Sequence, residues 1–385
     1  MIVFTGSDQT AKHIESAIGR SLKPSAPLIA ETGGLNAMIV DSSALLERAV
    51  DDILVSAFQS AGQRCSALRM LYIQEDIADR ATQMICEAAA ELKVGPPNGT
   101  DTDIGPVIDV QAKRAIDRYV LSAKVDQRLI WAGVTPKGCF CPPVIIRVDG
   151  IDNLEKEVFG PVLHLATFRS GQEESIVNAI NQSGFGLTFG LHSRIDRKIK
   201  KVSSAINAGN IYINRNQIGA IVGSQPFGGE GRSGTGPKAG GPRYLPAFLT
   251  QSAAGSTLPA GEIEATLTGP TGELNTYSTQ PRGHILVLHP DSSTRRELAQ
   301  IAKQSGNTVT ESPVLPPERA ENFDAVMTQL DDDRVFSSLT ALRTQPGQKI
   351  IPVITDQGGY IWLKKEKHIC RDTTASGGNV DLLMS

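Results

Sequence analysis

Cys65 closes the run Gly62-Gln63-Arg64-Cys65, where an amphipathic helical stretch gives way to a glycine-containing turn. A helix exit of that kind lets a sulfur project into a cleft. An arginine beside it favours the thiolate, which is the attacking form of the group. The plain alternative is a packing cysteine, the commoner role of this residue type. Glu31 stands in Glu31-Thr32-Gly33-Gly34, directly after an apolar run. A carboxylate beside two glycines can swing and approach a substrate closely, as a general base must. A turn acid that caps its own backbone would look the same in sequence. Thr5-Gly6-Ser7 opens a further helical stretch. Backbone N–H groups at a helix start form an anion site suited to the phosphates of a dinucleotide, although a lone Gly-Ser is a weak signal.

These groups need elements to hold them. Ile2-Val3-Phe4 reads as a strand, Thr5-Gly6-Ser7 as a turn, and Ala11, Ile14, Ala17 and Ile18 as the apolar face of a helix. Such a βα unit leaves strand edges and one helix face needing partners from elsewhere. Leu28-Ile29-Ala30 and Ala37-Met38-Ile39-Val40 are further strands. Asp41-Ser42-Ser43 offers N-cap residues for a helix with Leu45, Ala49, Ile53 and Phe58 on its apolar face. That helix runs out at Ala61-Gly62-Gln63-Arg64-Cys65. Strands and helices alternate to about residue 215, as in an α/β domain. Residues 223–242 are glycine-rich and loop-like. The Ser/Thr/Gly/Pro-rich stretch 253–281 reads as a linker or extended arm. Beyond it, a strand at His284–His289, a helix at Ser292–Gln304 and strands near Asp324–Met327 and Ile350–Ile354 make a small open α/β domain without a catalytic cluster.

Composition narrows the class. The chain has 385 residues, 40% hydrophobic and 21% charged, with net charge −3 and pI near 6.1. That is an ordinary globular balance for a cytoplasmic metabolic protein, and it gives no reason to expect nucleic acid as a partner. No apolar run approaches the length of a membrane span, and the first residues lack the pattern of a signal peptide. Five cysteines make no disulfide framework in a chain of this size. Cys139 and Cys141 lack a second pair and spaced histidines, so they read as buried or half-buried loop thiols rather than a metal site.

The order and spacing of several motifs carry more than any one of them. Phe4-Thr5-Gly6-Ser7, Glu31-Thr32-Gly33-Gly34 and Gly62-Gln63-Arg64-Cys65 are followed by Glu157-Val158-Phe159-Gly160-Pro161, Gly209-Asn210-Ile211-Tyr212-Ile213-Asn214 and Pro226-Phe227-Gly228-Gly229. Residues 1 to about 250 thereby resemble the aldehyde dehydrogenase superfamily. Asn214–Gly223 and Gly231–Pro242 resemble the L-glutamate γ-semialdehyde (pyrroline-5-carboxylate) dehydrogenases, in the version fused into bifunctional proline utilization A proteins. The tail Asp372-Thr373-Thr374-Ala375-Ser376-Gly377-Gly378-Asn379-Val380 is similar to the closing segment of those proteins. Ala11 at the phosphate turn also suits this branch.

The resemblance implies a division of labour. Cys65 would attack the aldehyde to form a thiohemiacetal, hydride would pass to NAD, and Glu31 would activate the water that hydrolyses the thioester. Gly6 and Ser7 would sit at the cofactor's pyrophosphate and Gly33 near the nicotinamide. Glu157 would accept hydrogen bonds from the ribose hydroxyls, with Phe159 beside the ring. Ser66 and the backbone of Gly219 and Ala220 would hold the substrate's α-carboxylate, with Phe227 against its aliphatic chain. Without the resemblance, Glu157 reads as a surface acid in a run with Glu155, and Phe227 as a core phenylalanine.

The fold implied is α/β: an aldehyde dehydrogenase catalytic domain with a truncated Rossmann-like cofactor domain, plus a small C-terminal α/β domain. Expected boundaries are 1–34 for the remnant of the NAD-binding domain and 35–228 for the catalytic domain. Residues 229–282 would form a return segment, oligomerisation arm and linker, and 283–385 the accessory domain. Family members carry a long segment before the Phe-Thr-Gly-Ser motif, so impaired dehydrogenase activity is expected of this chain. The implied partners are a second copy, bound through an arm around Tyr244–Gln251, and a proline dehydrogenase domain on the same chain. Two other readings stand beside this one: a non-catalytic remnant or assembly module that needs a partner chain, and a dehydrogenase for another semialdehyde.

Overall fold

Buried apolar runs set the architecture. The computed structural model describes residues 1–21, 23–134, 136–248, 264–316, 322–347, 349–355 and 360–374. In chain order the elements begin with β1 (Ile2–Thr5), α1 (Asp8–Gly19), β2 (Leu28–Glu31), β3 (Ala37–Val40), α2 (Leu46–Phe58), β4 (Met70–Gln74) and α3 (Glu75–Ala90). Next come α4 (Val110–Val125), β5 (Leu129–Ala132), β6 (Val144–Arg147), β7 (Val162–Phe168), α5 (Glu173–Gln182), β8 (Phe185–Gly186), β9 (Thr188–His192), α6 (Asp196–Ala205) and β10 (Asn210–Ile213). The rest holds β11 (Glu230–Gly231), β12 (Glu264–Leu267), β13 (Glu273–Pro281), β14 (His284–Leu288), α7 (Ser292–Gln304) and β15 (Thr308–Ser312). It ends with β16 (Ala325–Thr328), α8 (Asp333–Thr344), β17 (Val353–Thr355) and β18 (Lys364–Asp372).

These elements form two compact units, one of which comprises Gly34–Ala220, Pro270–Leu274 and the segment from Ile369 onward. Its sheet runs β10-β9-β3-β4-β7-β6-β5, parallel from β10 to β6, with β5 added antiparallel at the edge. Every residue of β3, β4, β9 and β10 is buried. Continuous apolar strands of this kind are what a parallel sheet covered on both faces requires. α2 presents Ala49, Ile53, Ala57 and Phe58 to the core and packs along α3.

The other unit joins Met1–Gly33, Ile221–Gly269 and Asn275–His368. It holds the parallel pair β1–β2, the four-stranded parallel sheet β15-β14-β16-β17 and the antiparallel pair β12–β13. The boundary expected at 34 falls within one residue of the division at Gly33, whereas those at 228 and 282 fall inside segments of this second unit. The β1–β2 pair finds its missing partners in the same unit. Ala30 N–H donates to Thr235 Oγ1 (3.0 Å), Thr32 N–H to the Ser233 carbonyl (3.0 Å), and Glu31 pairs with Gly234. α1 lies against α8, so closely that a Cβ on Gly19 would come within 2.8 Å of Arg343 Cβ.

Several local expectations need correction. On α1 the buried face is Ala11, Glu15 and Ile18, and Ala17 is exposed. Ala17 lies about 100° round the helix from Ile18, outside the stripe. Glu15 is tolerated inside because Lys12 pairs with it at 2.6 Å. Leu45 is not on the α2 face; it precedes the helix and is 41% exposed. Asp41 caps no helix and instead takes the Ser43 N–H in a turn (2.7 Å). Part of the expected linker, 264–281, is the β12–β13 hairpin, its alternating Thr and Tyr residues suiting a half-buried pair. The linker call on 253–263 and the tail motif beyond Thr374 lie outside the described residues, as does the end of the arm at 249–251. Cys141 is buried and Cys139 half-buried, both in irregular chain, and no metal-ligating cluster occurs among the described residues.

Candidate active site

The thiol sits on a turn that only a few backbones can make. After α2 ends at Phe58, Ser60, Ala61 and Gly62 all have positive φ, at 57°, 55° and 63°. Left-handed conformations cost non-glycine residues energy, so the surroundings must hold them. Gln63 supplies one staple, donating to the Ser60 and Pro106 carbonyls (both 3.2 Å) while its Oε1 accepts the Ile108 N–H (2.8 Å). Asn36 supplies another through Nδ2, which donates to the Cys65 and Ala67 carbonyls (2.6 and 2.9 Å). Gly62 itself admits no side chain, since a Cβ there would meet the Gly160 carbonyl oxygen at 2.1 Å. The cysteine turn and the Glu157–Gly160 segment thus touch backbone to backbone.

Cys65 is half-buried and Ser66 buried. The Ser66 carbonyl accepts from Thr188 Oγ1 and Gln217 Nε2, both at 3.2 Å. Gln217 leads into Gly219, which is exposed with φ 76° and open space around its α-carbon, and then into half-buried Ala220. That loop presents backbone, as a carboxylate-holding segment would.

Glu157 is not a loose surface acid. Its Oε1 accepts from Arg69 Nε (3.1 Å) and Nη2 (2.8 Å), and its Oε2 from the Gly34 N–H (3.3 Å). Phe159 is 47% exposed, with the Arg69 guanidinium 5.5 Å from its ring centre. A fixed carboxylate beside an exposed aromatic face fits a cofactor ribose and its adjoining ring.

The other unit holds the remaining candidates. Glu31 ends β2 with Oε2 accepting the Gly229 N–H (3.2 Å), whereas Oε1 is sealed from solvent with no hydrogen-bond partner among the described residues. Burial lifts its carboxyl to about 8, against the opposing pull of the Gly229 N–H and the Lys238 ammonium. Burial also lowers Lys238 to about 8, against the attraction of Glu366 and Glu31. Gly228 makes room for this carboxylate: a Cβ there would lie 2.8 Å from Glu31 Oε1. Phe227 is half-buried and pairs its backbone with Ala239. Ser7 caps α1 by accepting the Thr10 N–H (3.1 Å), and the Gly6 N–H donates to the Glu31 carbonyl (3.1 Å). A phosphate at this helix start would have to rely on other N–H groups. Gly33 is half-buried.

The structure therefore brings Cys65, Ser66, Glu157, Phe159, Gly219 and Ala220 into one unit, and Gly6, Ser7, Glu31, Gly33 and Phe227 into the other. Sequence reasoning missed Arg69, Asn36 and Gln217. Arg64 donates to Ser60 Oγ (3.0 Å), and the charge of Arg69 interacts with Cys65. The overlooked signal was an arginine inside the apolar run Ala67-Leu68-Arg69-Met70-Leu71.

Comparison with known proteins shows the family. Residues 1–253 match the aldehyde dehydrogenase family, and the chain belongs to it. That family works in general with a nicotinamide cofactor. The bifunctional protein PutA of Escherichia coli (strain K12) is 36% identical in an alignment covering 99% of this chain and 35% of the relative. The 1-pyrroline-5-carboxylate dehydrogenase of Geobacillus sp. (strain WCH70) is 39% identical across 57% of this chain and 43% of its own. A crystal structure of a Bradyrhizobium japonicum proline utilization A (PutA) mutant superposes with TM-score 0.62 and 53% identity, covering 63% of this chain and 25% of that one. This chain thus spans little more than a third of the PutA length. Among the described residues no helix is long and apolar enough to cross a membrane.

Proposed function

We propose that this chain oxidises L-glutamate γ-semialdehyde, formed from 1-pyrroline-5-carboxylate, to L-glutamate with NAD in cytoplasmic proline catabolism. The observation that carries the reading is the Gly62–Cys65 turn packed against Glu157–Gly160 and clamped to it by Arg69. A candidate nucleophile and a candidate ribose acceptor are thereby held in one rigid cluster. The similarity to a 1-pyrroline-5-carboxylate dehydrogenase supports the substrate.

Bound NAD supplies the hydride acceptor. The chain's own residues do the rest. Cys65, as thiolate, adds to the aldehyde carbon, and after hydride loss it carries the acyl group as a thioester. Glu31 takes a proton from the water that cleaves this thioester, releasing carboxylate and regenerating the thiolate. Glu157 accepts from the ribose hydroxyls, and Phe159 flanks the ring. Gly6 and Ser7 would hold the cofactor's pyrophosphate, and Gly33 would serve the nicotinamide. The Gly219–Ala220 backbone and the Ser66 hydroxyl would hold the substrate's α-carboxylate, and Phe227 would pack on its aliphatic chain.

Self-association through the segment at Tyr244 is part of the proposal. Its support is the exposed apolar surface of Leu245 (76%) and Phe248 (46%). A proline dehydrogenase domain is the partner the resemblance implies.

The test is formation of reduced nicotinamide by the purified chain, with glutamate semialdehyde compared against neutral aldehydes. Activity on the acidic aldehyde, lowered at least about 10³-fold by Cys65→Ser, is the expected result. Activity that survives Cys65→Ser, or none in the unaltered chain, overturns the reading.

A further inference from the structure

Arg69 is fully buried at the start of β4, and a guanidinium so placed is strongly destabilising unless its donors and its charge are met. It meets them on the two segments that carry the proposed chemistry. Nη2 donates to the Arg64 carbonyl (3.2 Å), one residue before Cys65, and Nη1 to the Gly160 carbonyl (3.0 Å). Nε and Nη2 share Glu157 Oε1, and the guanidinium lies over the Phe159 ring. Its own carbonyl is fixed from behind. The His164 N–H donates to it at 2.9 Å, and His164 Nδ1 lies 2.8 Å away. With Nδ1 donating, Nε2 accepts from the Tyr119 hydroxyl at 2.8 Å. Burial, outweighing the Arg69 carbonyl and reinforced by the Arg69 and Arg128 charges, holds His164 down to about 4. The imidazole is therefore neutral and adds no second cation.

We infer that Arg69 is a positioning residue whose one positive charge is divided between Cys65, where it favours the thiolate, and Glu157, which it fixes to receive a ribose. Its electrostatic partners are Glu157 first and then Cys65. Arg64 is turned to Ser60, and burial keeps the phenol of Tyr212, which also interacts with Cys65, protonated. Because the charge is shared, weakening Glu157's claim on it strengthens its hold on the thiolate.

This inference rests on the dehydrogenase reading for its biological meaning, so its test avoids turnover. The rate of iodoacetamide modification at Cys65 in the full chain is followed by peptide mass spectrometry across a pH series. Cys86, half-buried and shifted upward mainly by burial, serves as internal reference. Arg69→Met should slow Cys65 at neutral pH by about tenfold, one pKa unit. Arg69→Lys should restore the rate to within about threefold, and Glu157→Gln should raise it by about threefold. A Cys65 rate unchanged in Arg69→Met, or slowed in Glu157→Gln, overturns the inference. If Arg69→Met does not fold, Arg69→Gln takes its place, with the same slowing expected and an unchanged Cys65 rate overturning the inference. Loss of dehydrogenase activity in the unaltered chain would instead sink the functional reading and leave these rates intact.

Discussion

Two glutamates in this chain occupy opposite environments. Glu157 has donors on both oxygens and a buried arginine against it. Glu31 has one oxygen satisfied and the other sealed, with no hydrogen-bond partner among the described residues. The first is kept as a charged, immobile acceptor. The second is held in its proton-binding form, and burial shifts it to about 8. Desolvation disfavours a carboxylate and donors favour it, so environment alone separates a group that only receives hydrogen bonds from one that can exchange a proton. A base stored as an acid can become active either by deprotonation in place or by moving to wetter surroundings.

The largest effect that would break this contrast is at Glu31. Glu31→Gln should lower thioester hydrolysis by about 10²- to 10⁴-fold, while acylation of Cys65 persists as a burst of one equivalent of reduced cofactor. Loss of the burst together with turnover would place Glu31 elsewhere in the mechanism. The sign of the pH dependence follows from the raised value. The base works when deprotonated, so turnover should rise with pH toward about 8. Stability runs the other way. The folded carboxyl binds its proton more tightly than the unfolded one, so this contribution is complete below the ordinary carboxyl value of 4.5 and is lost as pH climbs through about 8. Thermal unfolding should therefore show Glu31→Gln gaining on the unaltered chain at pH 8 relative to pH 5. Equal differences at both pH values would refute the buried-acid description.

Next in size is the contact that ties the thiol turn to Glu157's segment. Gly62→Ala puts a methyl 2.1 Å from the Gly160 carbonyl oxygen and forces a left-handed φ. It should cost more than about 2 kcal/mol in chemical denaturation. Gly171→Ala, equally left-handed but with open space, should cost only about 1 kcal/mol. Similar losses for the two would mean that the backbone contact contributes nothing.

How much of this was legible in the sequence depended on range. α7 spans Ser292–Gln304 just as its periodicity requires, because helical spacing and the Asp291 cap are local. The motif cysteine and both glutamates were equally visible as residues. Their environments were not. Nothing near Glu157 names Arg69, which is 88 positions earlier, and nothing near Glu31 names Gly229, 198 positions later. The same limit explains why 264–281 read as a linker: a hairpin's evidence is its cross-strand partner, such as Ala265 opposite Tyr277. It also explains Glu15, a buried acid met by Lys12 on its own helix but also by Arg343 and the Ile351 backbone, far along the chain.

The smallest test concerns Phe159, whose ring is both an exposed face and a lid on the Arg69 charge. Contacts between a cation and an aromatic ring contribute about 0.5–1 kcal/mol at exposed sites, so Phe159→Leu should change stability by no more than that. If the ring also flanks the nicotinamide, KM for NAD should rise by about three- to tenfold while the Cys65 alkylation rate stays nearly constant. If its main work is to shield Arg69 from water, the order reverses: the alkylation rate moves and KM does not. Screening by water would then reach the thiol through the guanidinium. That would extend the shared-charge cluster from a pair of acceptors to the aromatic surface covering it, and would make Phe159 part of what separates Glu157's environment from that of Glu31.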